Sequence, residues 1–277
     1  MSAIQSVAST LLAVVAVGTS AAVFADEVDA TLRADLQRIA QRKIFFGHRS
    51  VGRNLLDGVS QLSTMAGVPV HMVETPTAEG VKPAVFGHTL VDRNGDPFQK
   101  IKSFEQAIGQ QPTGLDIALV KFCYVDITAN TDVKALFSRY RASIEDLKAR
   151  NPGTAFVHVT APLTIVQDGI KDSLKRLIGR APYGTIENIR REEYNTLLRE
   201  TYSGHEPLFD LARVESTAPD GTAVSVKWKG SVAPAMSPAY TDDGGHLNAT
   251  GKLRAAREFV SVLASIPDRP AVGKQTR

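Results

Sequence analysis

KIFFGHRSVGRNLLDGV, Lys43 to Val59, sets a strand pattern directly against a helix pattern. Lys43–Phe46 is a short run that is mostly apolar and aromatic, ending at Gly47. From Val51 onward the apolar residues Val51, Leu55, Leu56, Val59 and Leu62 recur at helical spacing. Ser50 stands at the corner between the two, and this stretch leaves it two readings. It is an N-cap whose oxygen accepts a hydrogen bond from the first helical turn, or it is a nucleophile held above a sheet. In the second case the helix N-terminus is ready to stabilise negative charge.

Working outward, the same alternation repeats. KIFF, VPVHMVE, LDIALVKF, TAFVHVT and PLFDLA read as strands. The third and fourth are nearly continuous apolar runs, as expected of strands covered on both faces. Between and after them come helical patterns: Phe98, Ile101, Phe104 and Ile108; Val133, Leu136, Phe137, Tyr140, Ile144 and Leu147; and Leu253, Ala256, Phe259, Val260 and Leu263. Strand–helix alternation with right-handed crossovers predicts an α/β fold, a three-layer α/β/α sandwich around a central, mostly parallel five-stranded sheet. In such sheets ligands bind beyond the carboxyl ends of the strands. Two stretches interrupt the alternation. Leu163–Thr185 is basic and broken, and Glu215–Tyr240 reads as an irregular excursion with a hairpin turn at Asp220 and Gly221. Both are insertions placed to overhang a site.

The chain of 277 residues with a net charge of +3 suits one domain and gives no electrostatic argument for nucleic acid or an anionic membrane. TLLAVVAVGTSAAVFA, with Val23 and Ala25 before Asp26, reads as a signal peptide over residues 1–25. This implies a periplasmic or secreted protein with residues 26–277 as its single domain and a core over about 43–265. The leader lacks Lys and Arg, so an uncleaved anchor is the alternative reading. After cleavage no later segment is apolar and long enough to span a bilayer. Cys123 is the only cysteine, which excludes an intrachain disulfide; it reads as a buried free thiol.

A serine hydroxyl needs a base, usually a histidine held by a carboxylate. Of six histidines, His246 stands in YTDDGGHLNATGKL just before the last helical pattern, where Asp243 precedes it by three residues and Asp242 by four, with two glycines between acid and base. His71 and His158 lie in strand patterns and read as core or sheet-face residues. His88 and His205 lie in loops without ligand-spaced partners, so no metal site is expected. REEYNTLLRETY, from Arg191, reads as a helix with a solvated charged face.

An early serine at a strand-to-helix corner and a late Asp-x-x-His resemble the SGNH, or GDSL-type, hydrolases, a superfamily of esterases, lipases, deacetylases and acyltransferases on a flavodoxin-like sandwich. The resemblance implies Ser50 as nucleophile, His246 as general base and acid, and Asp243 as its orienter, with Asp242 as the fallback. The first block departs from the family: it reads Gly47-His48-Arg49-Ser50 where Gly-Asp-Ser is usual. The family's oxyanion donors are the nucleophile's N–H, a glycine and an asparagine. Gly95 in DRNGDP is the glycine candidate. The third strand ends VKFCYVDI without the asparagine, which leaves Asn94, Lys121 or Tyr124 to supply that donor. Asp126 is expected in a structural role. His48 and Trp228 are candidate substrate contacts.

The resemblance thus implies an exported serine esterase that removes a small acyl group, such as acetyl, from a carbohydrate or similar polar alcohol, with no cofactor. A glycan O-acyltransferase with the same triad and a non-catalytic glycan-binding protein on the same fold are the competing readings.

Overall fold

A computed structural model describes residues 30–268. The signal peptide expected over residues 1–25 lies outside the described residues. The first strand, β1 (Ile44–His48), is buried along its whole length because it runs through the middle of the sheet. Its neighbours are β3 (Phe86–Leu90) and β4 (Ile117–Val120), both parallel to it. With β2 (Met72–Glu74), β5 (Ala155–Val159) and β6 (Leu208–Phe209), they form a six-stranded sheet in the order β2-β3-β1-β4-β5-β6, every pairing parallel. Successive side chains of a strand point to opposite faces, and the core divides accordingly. Ile44, Phe46, Ile117, Leu119 and Val157 pack on one side. Phe45, Ala118, Val120 and Phe156 pack on the other.

The first side is covered by α1 (Ala30–Ala40), α2 (Val51–Ala66), α7 (Leu211–Ser216) and α8 (Ala249–Ser265). α2 presents Val51, Leu55, Leu56, Val59 and Leu62 to the sheet, each such burial stabilising by about 1.5–3 kcal/mol. It stops at Gly67, whose φ of 64° gives the left-handed cap that returns its N–H to Ser63 and Thr64. Gly58 lets α2 and α8 approach closely. A Cβ there would lie 2.5 Å from the Lys252 carbonyl oxygen and 2.6 Å from the Ala256 Cβ, so alanine at this position would force the helices apart. The opposite side is covered by α3 (Pro97–Ile108), α4 (Val133–Arg150) and α6 (Thr185–Tyr202).

The sheet has one strand more than the sequence suggests. β3 lacks a strand signature because FGHTL carries a glycine and a histidine where a central strand usually carries branched or aromatic residues. Gly87 is needed there, since a Cβ would lie 2.4 Å from Val81 Cγ2. VPVHMVE shrinks to the three residues of β2 at the sheet edge, leaving His71 exposed. The second excursion forms the hairpin of β7 (Ser225–Trp228) and β8 (Ser231–Pro234). Its turn is Lys229-Gly230, both at positive φ, the backbone that a two-residue hairpin turn requires. Asp220 and Gly221 close a smaller loop ahead of it, where Ala218 N–H bonds the Thr222 carbonyl at 2.9 Å. The first excursion carries α5 (Ile170–Leu177). Among the described residues no helix is long and apolar enough to cross a membrane.

Candidate active site

β1 ends at His48, and the chain turns through Arg49 and Ser50 into α2. Ser50 has φ 47° and ψ −106°, a backbone conformation that costs a non-glycine residue about 1–3 kcal/mol. It occupies the N-cap position, yet its hydroxyl makes no bond to the helix. Ser50 Oγ lies 2.5 Å from His246 Nε2 instead. The turn is fixed from both sides: Arg49 Nε donates to the Val91 carbonyl at 2.6 Å, and the buried Lys121 ammonium lies 3.4 Å from the Arg49 carbonyl.

His246 sits in the loop before α8. Its Nδ1 is 2.6 Å from Asp243 Oδ2. The other carboxylate oxygen, Oδ1, accepts the N–H groups of Gly245 at 2.9 Å and His246 at 2.8 Å, and the Thr241 hydroxyl at 3.2 Å. The backbone N–H of His246 is the largest of the influences that hold the Asp243 carboxyl well below the usual carboxylate range. Asp242 faces elsewhere, taking a bond from Asn248 Nδ2 at 3.3 Å. Tyr124 stands edge-on to the His246 ring, with centroids 5.5 Å apart. A Cβ at Gly245 would come 2.7 Å from that tyrosine ring, so this glycine sets how closely the loop folds down on it.

The other predicted residues fall into different places. Asp126 bridges two loops at the carboxyl end of the sheet. Its Oδ2 accepts from Lys100 Nζ at 2.6 Å and from Cys123 N–H at 2.5 Å, and its Oδ1 accepts the Gly95 N–H at 2.7 Å. Gly95 therefore spends its amide on Asp126, which corrects its expected place as an oxyanion donor. Asn94 Oδ1 accepts from Lys100 Nζ at 2.7 Å, turning its NH₂ away from the ion pair. Lys121 is wholly buried, and burial lowers its pKa; it lies beneath the corner, away from solvent.

His48 is also fully buried, contrary to its expected contact with substrate. Its Nε2 is 3.3 Å from His88 Nδ1, and its Nδ1 finds no partner among the described residues. Trp228 is on the hairpin, with its ring 5.8 Å from Lys229 Nζ. Cys123 is a buried free thiol.

Three contributors escaped the sequence reading. Asn54 Oδ1 accepts the Leu247 N–H at 3.1 Å, tying α2 to the loop of His246. Asn54 lies one helical turn beyond Ser50, a spacing that was legible in principle. Ile165 N–H donates to the Gly244 carbonyl at 3.0 Å, so the first excursion braces the same loop. Arg191, read as part of a solvated face, is buried. Its Nε donates to the Tyr124 carbonyl at 3.0 Å and one Nη to Asn188 at 2.7 Å and Thr164 at 3.0 Å. Burial lowers its pKa to about 10.

The arrangement places a hydroxyl, an imidazole and a carboxylate in one hydrogen-bonded line beyond the carboxyl ends of parallel strands, in a doubly wound α/β/α sandwich. Solved structures resemble this chain in outline at low identity. A Parabacteroides merdae protein assigned as a GDSL-like lipase is 14% identical, with a TM-score of 0.44 over 80% of this chain and 95% of that one. A Streptococcus pneumoniae protein assigned as a platelet activating factor is 13% identical, with a TM-score of 0.48 over 82% and 89%. The periplasmic domain of a Salmonella Paratyphi A lipopolysaccharide acetyltransferase is 15% identical, with a TM-score of 0.40 over 79% and 81%. No protein-family model matches the sequence, and no curated protein matches it.

Proposed function

We propose that the protein is an exported serine esterase of SGNH type, acting on a small acyl ester of a polar alcohol, with carbohydrates as the substrate class to test first. The observation that carries this reading is the line from Ser50 Oγ through His246 to Asp243, with contacts of 2.5 Å and 2.6 Å. A binding protein has no need to hold a serine in a strained backbone with its hydroxyl diverted from helix capping to an imidazole. The polar alcohol is suggested by the exposed Asp92, Arg93 and Asn94 beside the corner, where Arg49 Nε meets the Asp92 carbonyl at 3.2 Å.

In the proposed mechanism, His246 Nε2 takes the proton of Ser50 as Oγ attacks the ester carbonyl. Asp243 holds the Nδ1–H and stabilises the imidazolium that forms. The negative oxygen of the tetrahedral intermediate is met by the Ser50 N–H at the head of α2 and by the NH₂ of Asn94. The C–O bond to the alcohol then breaks, and His246 gives its proton to the departing oxygen. This leaves an acyl group on Ser50. A water molecule, deprotonated by His246, attacks that group; the acid leaves, and Ser50 recovers its proton.

The test is p-nitrophenyl acetate hydrolysis by the full chain and by Ser50→Ala and His246→Ala, with a fluorophosphonate label read by intact mass. Label on Ser50 and activity lost in both variants supports the reading. Equal turnover in all three proteins and no label refutes it.

A further inference from the structure

Helix α5 does the reverse of what a surface helix does with its apolar stripe. Ile170 is 93% exposed, Leu177 82%, Leu174 60%, and Ile178 at the helix end 61%. At 100° per residue these four fall within one arc of about 100°, with Lys171 at its border and Asp172, Lys175 and Arg176 on the remaining surface. The exposure is concentrated here. Of ten exposed large hydrophobic residues among the described ones, five lie between Ile170 and Tyr183.

The charge around the stripe is one-sided. Lys175 pairs with Asp172 and Arg176 with Asp168, each at 2.8 Å. Lys171 and Arg180 carry positive charge that the two acids do not balance. The position is equally specific. α5 follows β5, at the same carboxyl end of the sheet as Ser50. The segment leading into it holds the Gly244 carbonyl through Ile165 N–H, two residues from His246.

We propose that α5 is an interfacial helix that lays its apolar stripe on an anionic lipid bilayer and turns the Ser50 end of the sheet toward that surface. An apolar arc bordered by lysine and arginine is what such a surface recognises: the stripe enters the headgroup boundary while the cations meet lipid phosphates. A second copy of the chain fits less well, because a two-fold contact would bring the same cations face to face. The proposal does not rest on the esterase reading, and Ser50→Ala should bind vesicles as the wild type does.

The experiment is co-sedimentation of the full chain with vesicles of phosphatidylcholine and an equal share of phosphatidylglycerol. Leu174→Ser with Leu177→Ser should raise the lipid concentration at half-binding on the order of tenfold or more. Both leucines are exposed, so the Tm should not change. Lys171→Gln with Arg180→Gln should weaken binding at low salt and reduce its salt dependence. Wild-type protein that stays in the supernatant overturns the proposal, as does equal binding by the leucine variant. If the leucine variant turns a dimer into a monomer in size-exclusion chromatography while neither protein sediments with vesicles, the stripe belongs to a second copy and the proposal falls.

Discussion

Ser50 Oγ and His246 Nε2 meet at 2.5 Å across a sequence separation of 196 residues. The fold achieves this by packing α2, which begins just after Ser50, directly against α8, which begins just after His246. Asn54 bonds Leu247 between them, and Gly58 admits Lys252 and Ala256 further along the same interface. These two helices are thus joined on one side of the sheet, with Ser50 and His246 both at its carboxyl end.

The acid of this line is Asp243, since Asp242 bonds Asn248 instead. Asp243→Asn should lower kcat for p-nitrophenyl acetate on the order of 10²–10⁴-fold, because the amide no longer stabilises the imidazolium or fixes its tautomer. Asp242→Asn should stay within about twofold of wild type, its loss confined to one surface hydrogen bond. Steady-state rates for the pair of variants check the assignment, and the reverse order would move the role to Asp242.

Much of this was legible in the sequence, for particular reasons. LDIALVKF and TAFVHVT announced buried parallel strands through unbroken apolar runs, and Asp243-Gly-Gly-His246 put acid and base within one short loop. β3 was illegible because its Gly87 and His88 answer to neighbours in space, Val81 and His48. The fate of the Gly95 amide was illegible because backbone direction decides it: the N–H that could face an oxyanion faces Asp126. Arg191 differs from its solvated neighbours only by the side of α6 on which it falls.

Asn94 is the side-chain oxyanion donor in the proposed mechanism. Asn94→Ala should reduce kcat on the order of 10²–10³-fold with little change in KM, the signature of an interaction made only in the transition state. A change confined to KM would assign Asn94 to substrate binding instead. The measurement is a full kcat and KM comparison at constant fluorophosphonate labelling of Ser50.

The positive φ of Ser50 separates two variants at this position by stability. Ser50→Ala removes the hydroxyl and keeps the Cβ in its strained place; Ser50→Gly removes both. Relief of about 1–3 kcal/mol of strain exceeds the added chain entropy of glycine, about 0.5–1 kcal/mol. Ser50→Gly should therefore melt about 2–4 °C above Ser50→Ala, a difference of about 1 kcal/mol for a domain of this size. Calorimetry decides it, and equal or reversed Tm values would mean that the corner stores no strain.

Lys100 and Asp126 form an ion pair with both side chains wholly buried, at 2.6 Å, and the same carboxylate holds Gly95 and Cys123. Asp126→Asn should cost about 3–5 kcal/mol by leaving a buried ammonium without its counter-charge. Lys100→Met added to Asp126→Asn should cost much less than it does alone, since the charge it removes is already unpaired. Urea unfolding of the two single variants and the double variant closes the cycle. Additive losses would mean that the two groups stabilise the fold independently.

The pH dependence of stability follows from three buried groups whose signs oppose. Burial, followed by His88 and nearby cations, pushes His48 down to about 2, and burial pushes His158 down to about 4. Unfolded, both titrate near 6.5, so below that pH the unfolded chain binds protons that the folded chain refuses, and stability falls as pH drops. Burial pushes Glu215 up to about 8 from an unfolded value of 4.5. Across that window the folded chain holds a proton that the unfolded chain lacks, so stability falls as pH rises. Between 4.5 and 6.5 two histidines oppose one carboxyl and the histidines win. Above 6.5 the carboxyl is the one of these three that acts, until about 8. These groups together place the stability maximum near pH 6.5, each slope being at most about 1.4 kcal/mol per pH unit. Glu215→Gln should flatten the alkaline limb and leave the acid limb at least as steep. Tm measured from pH 5 to 8.5 on both proteins checks this, and an alkaline limb that persists in the variant would take Glu215 out of the account.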